Sequence, residues 1–383
     1  MLPEDFSPEQ QSRLAKLEED AWAFLPPPLP PNLDLGAIAN VLAEAALALG
    51  ELRAVSRAAI VHDLLIPPMV RREAVLSSRI EGTQSTLWDV AIYEATGTSD
   101  RFDAPEVVRY ARALDFGIER MSQLPLSLRL LRETHELLMH GTDEVHVRPG
   151  EFRKVQNFIG GSRLADARYV PPPVPEMTRA LDHLEKYLHA PSDLPLLVRV
   201  GLIHYQFEAI HPFLDGNGRL GRLTISLLLS SWHLLEAPLL YLSAYFERNR
   251  AAYYDALFAV SARQAWTEWL AFFLEGVAEQ ARDAVDRAQS LEALREDFRR
   301  RLSQRRTSVL TLRVVDQLFA TPAVSIRSVG RDLSVTPKAA GQIVERLVGA
   351  GILREITGKK RGRLFLADEI LQAVDAPIFR INR

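Results

Sequence analysis

The sequence predicts a mainly α-helical protein that carries one β-hairpin and ends in a small α+β domain. Before residue 290 several segments show a helical pattern, the first of them rich in alanine and leucine from Leu35 to about Leu65. Two short extended runs interrupt this pattern between residues 152 and 173. After residue 307, helical segments are followed by two strand-like runs around a basic turn. A chain of 383 residues is too long for one compact core, so two or three domains are expected.

The composition is that of a soluble globular protein, with 47% hydrophobic and 25% charged residues. No run of eighteen apolar residues is present, so we expect no membrane span and no membrane partner. The first residues lack the basic and then apolar pattern of a signal peptide. The absence of cysteine excludes disulfide bonds and zinc–thiolate sites. These features together predict a cytoplasmic protein.

The densest group of chemically active residues lies at positions 211–222, His-Pro-Phe-Leu-Asp-Gly-Asn-Gly-Arg-Leu-Gly-Arg. An apolar run, Leu223 to Leu229, follows at once, so the order is loop, glycine turn and buried helix. A glycine turn that opens a helix leaves backbone N–H groups without partners, and the helix dipole adds positive potential there. The motif therefore predicts an anion site suited to phosphate.

The individual residues of this motif fit the transfer of part of a nucleotide to a hydroxyl. We expect Gly216 and Gly218 to supply positive φ angles, a geometry that Asn217 also tolerates. Arg219 and Arg222 lie three positions apart, so both guanidinium groups can bind phosphate oxygens. Two cations at a helix start oppose the dipole, which indicates an anion between them.

Two further side chains of the motif suggest how such a transfer would work. Asp215 beside a phosphate site is a natural Mg²⁺ ligand, and His211 can accept the proton of an attacking hydroxyl. No residue of the motif resembles a covalent nucleophile. Taken separately, His-Pro is usually a turn and Gly-Asn-Gly a loop or hairpin; their combination favours function.

The motif matches the core motif of the Fic family, His-x-Phe-x-Asp/Glu-Gly-Asn-Gly-Arg-x-x-Arg, and the resemblance extends over roughly residues 10–290. It implies an all-α Fic fold and transfer of AMP from Mg·ATP to a threonine, tyrosine or serine hydroxyl of a protein. His211 would be the base, and Asp215 would hold Mg²⁺. The implied nucleotide-binding residues are Asp215, Gly216, Asn217, Gly218, Arg219, Leu220, Gly221 and Arg222, in which the Gly-Asn-Gly turn cradles the phosphates and the arginines hold their outer oxygens.

A second element, Ser77-Ser78-Arg79-Ile80-Glu81-Gly82, resembles the inhibitory helix of the same family. Ser77 and Glu81 lie four positions apart and so share one helix face. The resemblance implies that Glu81 pairs with Arg222 and occupies the place of the γ-phosphate. The alternative is a surface glutamate that ends a helix before glycine.

A third element, residues 152–173, is predicted to form a β-hairpin with Gly160 and Gly161 in its loop. It resembles the Fic flap, which clamps a target segment by strand addition. The alternative is an ordinary connecting hairpin. The residues expected to contact a target are Ile159, Arg168, Tyr169 and Val170.

A tyrosine pair downstream of the motif, Tyr253-Tyr254, resembles positions that line the adenine pocket in relatives. Tyrosines on a helix are also common core residues with a satisfied hydroxyl, and this alternative stays open.

The last segment resembles a winged helix-turn-helix domain. From residue 307 to 383 it has 12 basic and 7 acidic residues, formally +5, whereas the whole chain is −3. Residues 324–333 suit a short helix, Thr336 to Val348 would be the recognition helix, and residues 359–363 would form the wing. Such domains bind DNA, or serve as protein-interaction or dimerisation modules. The candidate DNA-binding residues are Lys338, Gln342, Arg346, Lys359, Lys360 and Arg361.

The predicted organisation has four segments. Residues 1–110 form an N-terminal helical region with the inhibitory helix, and residues 111–290 form the Fic catalytic domain. Residues 291–306, with Arg299 to Arg301, are predicted to form a solvated linker helix, the usual role of a charge run. Residues 307–383 form the winged helix-turn-helix domain.

The sequence thus predicts a self-inhibited protein adenylyltransferase that uses ATP and Mg²⁺ and modifies a target protein, and itself. One alternative is a DNA-binding transcription regulator whose Fic domain senses nucleotide. Another is a hydrolase that removes AMP, with Glu81 orienting a water. The target protein is not readable from the sequence. Release of an inhibitory helix by subunit exchange would suit a homodimer.

Overall fold

The computed structural model describes residues 1–18, 21–57, 65–98, 101–141, 148–303 and 308–376. The helices, in chain order, are Pro8–Gln11 (α1), Ala39–Ser56 (α2), Ile66–Ile80 (α3), Leu87–Thr96 (α4), Ala104–Arg120 (α5), Leu128–Met139 (α6), Val174–His189 (α7), Leu196–Ile210 (α8), Asn217–Ser231 (α9), Ser243–Arg248 (α10), Arg250–Arg263 (α11), Trp266–Ser303 (α12), Val309–Ala320 (α13), Ile326–Asp332 (α14), Pro337–Gly349 (α15) and Asp368–Asp375 (α16). The strands are Leu14–Lys16 (β1), Trp22–Phe24 (β2), Ala323–Ser325 (β3), Arg354–Glu355 (β4) and Leu364–Leu366 (β5).

The predicted fold class, mainly helical with a small α+β segment at the end, is confirmed. Local capping explains several helix starts. The Thr86 side chain accepts a hydrogen bond from the backbone of Asp89 at the start of α4, and Thr336 does the same for Ala339 at the start of α15. Pro337 occupies the first position of α15, where its missing N–H costs nothing.

The described residues group into two compact units. The first unit contains residues 1–50, 112–235 and 240–280. The second contains residues 51–111, 236–239 and 281 to the end. These units cut the chain differently from the four predicted segments, whose boundaries remain a prediction.

The core of the first unit is built on α8 and α9, which pack against each other. Almost every residue of α8 is buried. Gly221 of α9 allows this close approach, because a Cβ atom there would lie 2.2 Å from Oε1 of Glu208. Helix α7 packs against α8, and α6 packs against α9.

A buried histidine stands at the centre of an aromatic cluster in this core. The ring of His204 lies between those of Phe246, Tyr253 and Trp269, with centroids 5.8–6.0 Å apart. Its Nδ1 lies 3.2 Å from the carbonyl oxygen of Gly221 and therefore carries the proton, which leaves Nε2 to accept from the Tyr253 hydroxyl at 2.8 Å. Burial, and then the charge of Arg222, lower the pKa of His204 to about 3.

The second unit contains a three-stranded antiparallel sheet of order β3-β5-β4, accompanied by α13, α14 and α15. In the register of the sheet Val324 lies opposite Phe365, and Phe365 lies opposite Glu355. The prediction that residues 324–333 form one helix was wrong at its start. Residues 323–325 form a strand instead, because their apolar side chains fill the sheet face before Ser325 caps α14.

Helix α3 packs against α13 and α16 within the second unit. A buried charge network accompanies this packing. Arg287 of α12 pairs with Asp283 at 2.7 Å and donates to the carbonyl oxygens of residues 373, 374 and 376, at the C-terminal end of α16. Arg72 of α3 also reaches Asp283, at 3.4 Å. Burial, and then the charge of Arg287, lower the pKa of Arg72 to about 10.

The stretch predicted as a solvated linker helix, residues 291–306, is helical through Ser303, and residues 304–306 lie outside the described part. It forms the last part of the 38-residue helix α12. Leu291, Phe298 and Leu302 are buried, which places one face of the stretch in the core of the second unit. Arginines flank this apolar stripe and pair across the unit, for example Arg301 with Glu369 at 2.7 Å.

One helical segment in the described chain, Leu35–Ser56, is long and apolar enough to cross a membrane by length and composition alone. Buried helices of soluble proteins meet the same criterion, although only 28% of the most apolar window is buried here. The expectation of no membrane partner stays a prediction.

Acidification is expected to destabilise the first unit partly through His204. Because its folded-state pKa lies below the ordinary value of about 6.5, the unfolded chain binds one more proton in the interval between them. The stabilisation is complete above about pH 6.5 and is lost as pH falls toward about 3. The free energy of unfolding in urea is measured at several pH values. In His204→Gln it should fall less steeply with acidification than in wild type, by up to about 1.4 kcal/mol per pH unit. Tyr205→Phe, which removes a buried hydroxyl bonded to Ser261 and not to His204, is the control and should lose stability but keep the wild-type slope. Equal slopes for wild type and His204→Gln would contradict the assignment.

Loss of the Arg287 guanidinium is expected to weaken the second unit. Arg287→Met leaves Asp283 and three carbonyl oxygens short of donors, so the unfolding free energy should fall by about 3 kcal/mol. Arg300 lies on the same helix, where it pairs with Asp297 at the surface, and Arg300→Met should cost less than about 1 kcal/mol. Urea unfolding of both variants tests this difference, and equal effects would rule it out.

Candidate active site

The loop of residues 211–216 connects α8 to α9 and carries the predicted base. His211 is the C-cap of α8 and adopts a left-handed conformation, with φ 49° and ψ 61°. Gly216, with φ 76°, is the N-cap of α9. The expectation that Gly218 and Asn217 also have positive φ was wrong, because α9 already begins at Asn217 and both residues are helical.

Asn217 holds the loop by a two-point clamp. Its side-chain oxygen accepts from the backbone N–H of Phe213, and its side-chain nitrogen donates to the Phe213 carbonyl, both at 2.8 Å. Its amide is therefore engaged inside the loop, and the expectation that the Gly-Asn-Gly turn cradles phosphates stays a prediction. The backbone N–H groups of residues 217–219 are the ones at the start of α9, where a helix lacks internal acceptors.

Two residues from the predicted flap fix the backbone of His211. The Nε atom of Arg153 donates to the His211 carbonyl at 3.0 Å, and Nδ2 of Asn157 donates to the same oxygen at 3.3 Å. Arg153 is buried and also donates to the carbonyls of Val155 and Pro172. Burial lowers the pKa of Arg153 to about 10. Sequence reasoning missed these roles, since bonds to backbone carbonyls leave no residue pattern.

Asp215 and Arg219 form an ion pair of 2.9 Å at the mouth of α9. The Asp215 side chain is 44% exposed, whereas that of Arg219 is 5% exposed. No group of three or more His, Cys, Asp or Glu side chains in the described residues could hold a metal by itself. A lone accessible carboxylate beside a phosphate site nevertheless fits Mg²⁺, which usually takes one or two carboxylates together with substrate phosphates.

Helix α9 buries the rest of the motif. Arg222 is buried, and its charge acts on His204. Leu220 and Gly221 were both expected to bind nucleotide. The Leu220 side chain is fully buried, and Gly221 faces Glu208 and Phe207 of α8, so both residues take part in helix packing. Nucleotide binding by these two residues stays a prediction.

A second histidine, His135 of α6, lies beneath the loop. It is buried, and its ring stacks on that of Phe213 at a centroid distance of 3.8 Å. Burial, and then the charge of Arg219, lower the pKa of His135 to about 4, so the imidazole is neutral near pH 7. The sequence analysis did not single out this residue.

The flap is a loop closed by one antiparallel bridge between Ile159 and Tyr169, rather than by two extended strands. Tyr169 and Val170 are buried, and the Tyr169 hydroxyl donates to the carbonyl of Ala209 at 2.9 Å. Tyr169 thus anchors this segment to α8, and the Val170 carbonyl accepts from the backbone N–H of Phe24 in β2 at 2.9 Å. Contact of the two residues with a target stays a prediction. Ile159 is half-buried, and exposed Arg168 pairs with Asp255. For these two the flap role remains a prediction.

The two predicted adenine-pocket tyrosines have different surroundings. Tyr253 belongs to the aromatic core, and its hydroxyl bonds to His204. Tyr254 is half-buried, with the guanidinium of Arg250 5.9 Å from its ring centroid. Contact with adenine stays a prediction for both.

Residues 77–82, which resemble the inhibitory helix, form the C-terminal end of α3. Ser77 is fully buried within the helix, and Glu81 is the exposed C-cap. Gly82 follows with φ 107°, a conformation that favours glycine. The inhibitory roles of Ser77 and Glu81 stay predictions.

The predicted DNA-binding side chains are exposed on α15 and in the turn between β4 and β5. They are Lys338, Gln342, Arg346, Lys359, Lys360 and Arg361. Neighbouring Arg363 instead pairs with Glu345 at 2.8 Å, which ties the turn to α15.

Three family models match the chain. The Fic/DOC family N-terminal model matches residues 39–119, and the Fic/DOC family model matches residues 125–229. A model of an HTH DNA binding domain matches residues 312–365.

Curated relatives include the protein adenylyltransferase Fic of Drosophila grimshawi and of Drosophila virilis, which are 31% and 32% identical over 111 residues. Each match covers 28% of this chain and 21% of the relative. The chain therefore spans about a fifth of the length of these relatives.

Solved structures share the fold. A Fic family protein from Desulfovibrio desulfuricans is 21% identical and superposes with a TM-score of 0.56. The match covers 88% of this chain and 98% of that chain. A Fic domain containing signaling protein from Bacteroides thetaiotaomicron has 16% identity and a TM-score of 0.51, over 65% and 96% of the two chains. The chain therefore carries the N-terminal and core parts of a Fic/DOC family domain, followed by a C-terminal helix-turn-helix domain.

Proposed function

We propose that the protein transfers AMP from Mg·ATP to a hydroxyl of a protein and that its own chain restrains this activity. The observation that carries the proposal is the loop of residues 211–216. It begins with His211 at the C-cap of α8 and leads into the N-terminus of α9, where Asp215 and Arg219 form an ion pair. The names of the curated relatives support the same activity.

The reaction needs one bond to form and one to break. The hydroxyl oxygen of the target attacks the α-phosphorus of ATP, and the bond between that phosphorus and the bridging oxygen breaks, so pyrophosphate leaves. His211 accepts the hydroxyl proton. The α9 N-terminus and Arg219 bind the phosphate oxygens, and their positive charge offsets the negative charge that accumulates there.

Mg²⁺, held by Asp215 together with the phosphates, would neutralise part of the charge of the leaving pyrophosphate. The Asp215–Arg219 ion pair keeps the carboxylate at the mouth of α9. Arg219 is therefore both a phosphate ligand and the residue that orients the metal ligand.

Glu81 is the proposed brake. A carboxylate that occupies the γ-phosphate position beside Arg222 would repel the triphosphate and misplace its α-phosphorus. The support for this role is the resemblance of residues 77–82 to the inhibitory helix of the Fic family; Glu81 itself is the exposed C-cap of a buried helix. The same carboxylate could orient a water for removal of AMP, and the experiment below includes that outcome.

Glu81→Gly is expected to raise AMP transfer roughly tenfold or more, because like charges placed together cost several kcal/mol. Purified variants are incubated with α-labelled ATP, Mg²⁺ and a cell lysate, and labelled proteins, this chain included, are identified by mass spectrometry. Glu81→Gln is the matched control and should also activate, since the charge and not the glycine backbone is responsible. No gain in either variant would remove the inhibition proposal.

The same assay includes His211→Ala in the Glu81→Gly background. Transfer should fall at least roughly a hundredfold, with thermal unfolding unchanged. Retained transfer would contradict the role of His211 as base. Release of AMP from labelled protein by the wild type, without transfer by any variant, would favour the hydrolase.

DNA binding is a second candidate function, favoured by the exposed basic side chains of α15 and of the β4–β5 turn. A recognition helix in the major groove and a basic turn on the phosphates would use the two regions together. Regulation of transcription by a nucleotide-sensing Fic domain would follow from it. A protein partner on this surface is the competing possibility.

Lys359→Ala/Lys360→Ala is expected to weaken binding to duplex DNA and to reduce the slope of log affinity against log salt by about two. Fluorescence anisotropy with labelled duplexes at several salt concentrations measures both quantities. Lys186→Ala, an exposed lysine of α7, is the control and should leave them unchanged. Weak binding of wild type, equal on all sequences, would count against a regulator.

A further inference from the structure

His135 links the two backbone segments that meet at the proposed nucleotide site. The backbone N–H of Gly150 donates to Nδ1 of His135 at 2.9 Å, and Nε2 of the same ring lies 3.0 Å from the carbonyl oxygen of Asp215. Gly150 precedes the flap in sequence by two residues, and Asp215 belongs to the loop before α9.

These two contacts define the tautomer of the ring. A nitrogen that receives a hydrogen bond from an N–H group must present its lone pair, so Nδ1 is unprotonated. The proton of the neutral imidazole is therefore on Nε2, which donates to the Asp215 carbonyl. Only this tautomer can accept from the Gly150 N–H and donate to the Asp215 carbonyl at the same time.

The ring also supports the glycine turn from below. A Cβ atom on Gly216 would lie 3.3 Å from Nε2 of His135 and 2.7 Å from the sulfur of Met139. His135 and Met139 lie four residues apart on one face of α6, and both side chains pack against the loop at Gly216. On its other side His135 stacks on Phe213, the residue that Asn217 clamps.

We propose that His135 is a positioning residue: its Nε2–H group holds the Asp215 carbonyl and so sets the height of the phosphate-binding turn above α6. It does not touch the nucleotide. It acts through the backbone of Asp215 and Gly216, which bear the metal ligand and the start of α9. This proposal rests on the proposed function for its nucleotide effect, whereas its effect on the loop is independent of it.

Two near-isosteric substitutions separate the two bonds of the ring. In His135→Asn the side-chain oxygen can take the place of Nδ1 and accept from Gly150, but nothing reaches Asp215. In His135→Gln the side-chain nitrogen can take the place of Nε2 and donate to Asp215, but the acceptor for Gly150 is lost. Both variants lose the ring and one hydrogen bond, so thermal stability should fall by similar amounts.

Nucleotide affinity should distinguish the two variants in the Glu81→Gly background. By titration calorimetry, His135→Asn should raise the dissociation constant of Mg·ATP about tenfold, which corresponds to about 1.4 kcal/mol. His135→Gln should stay within about threefold of the parent. Equal losses of affinity in the two variants, or a larger loss in His135→Gln, would overturn the proposal.

Magnetic resonance of the ¹⁵N-labelled protein tests the loop without nucleotide. The parent should show His135 as the Nε2–H tautomer. Because both variants lose the ring current, their spectra are compared with each other: the amides of Gly216 and Gly218 should be displaced further in the asparagine variant, and that of Gly150 in the glutamine variant. An Nδ1–H tautomer or identical displacements would refute the positioning role. Failure of the parent to bind Mg·ATP, with this pattern intact, would refute the proposed function and not the positioning of the loop.

Discussion

The left-handed backbone at His211 is the constraint on which the candidate site depends. A non-glycine residue in this conformation costs on the order of 1 kcal/mol or more, so other contacts must hold it. They come from two directions: Arg153 and Asn157 bind the His211 carbonyl, and Asn217 clamps Phe213 just beyond it. The loop is thus shaped by contacts within the protein itself, and the phosphate site proposed there would avoid part of the cost of ordering at the moment of reaction.

The sequence was most informative where the candidate site residues are adjacent along the chain. Twelve adjacent residues predicted the loop, the helix start and the acid–base and cationic groups, because each of those features is local. The backbone conformation and burial of individual motif residues were harder to predict. Helix α9 already begins at Asn217, and Leu220 therefore lies on its buried side.

Residues that act through backbone groups escaped prediction altogether. His135 and Arg153 lie 80 and 58 residues from the carbonyls that they bind, and a carbonyl has the same chemistry in every residue.

In the second unit the end of α12 was misjudged for a different reason. Its many arginines suggested a solvated surface, although the spacing of Leu291, Phe298 and Leu302 does indicate a buried stripe. Of the basic residues near the sheet, Arg354 is engaged in an ion pair with Asp368.

The division of the second unit into distant stretches of chain has a consequence for synthesis on the ribosome. Residues 51–111 emerge early, yet the helices α13 and α16 that pack on α3 are among the last to be made. At roughly 5–20 residues per second, the first unit is fully translated some 5–20 s before residue 376. During that interval α3 lacks the two helices α13 and α16 that pack on it. Newly made chains therefore pass through a stage in which the first unit can already fold while the packing around α3, the helix that ends at Glu81, is still incomplete.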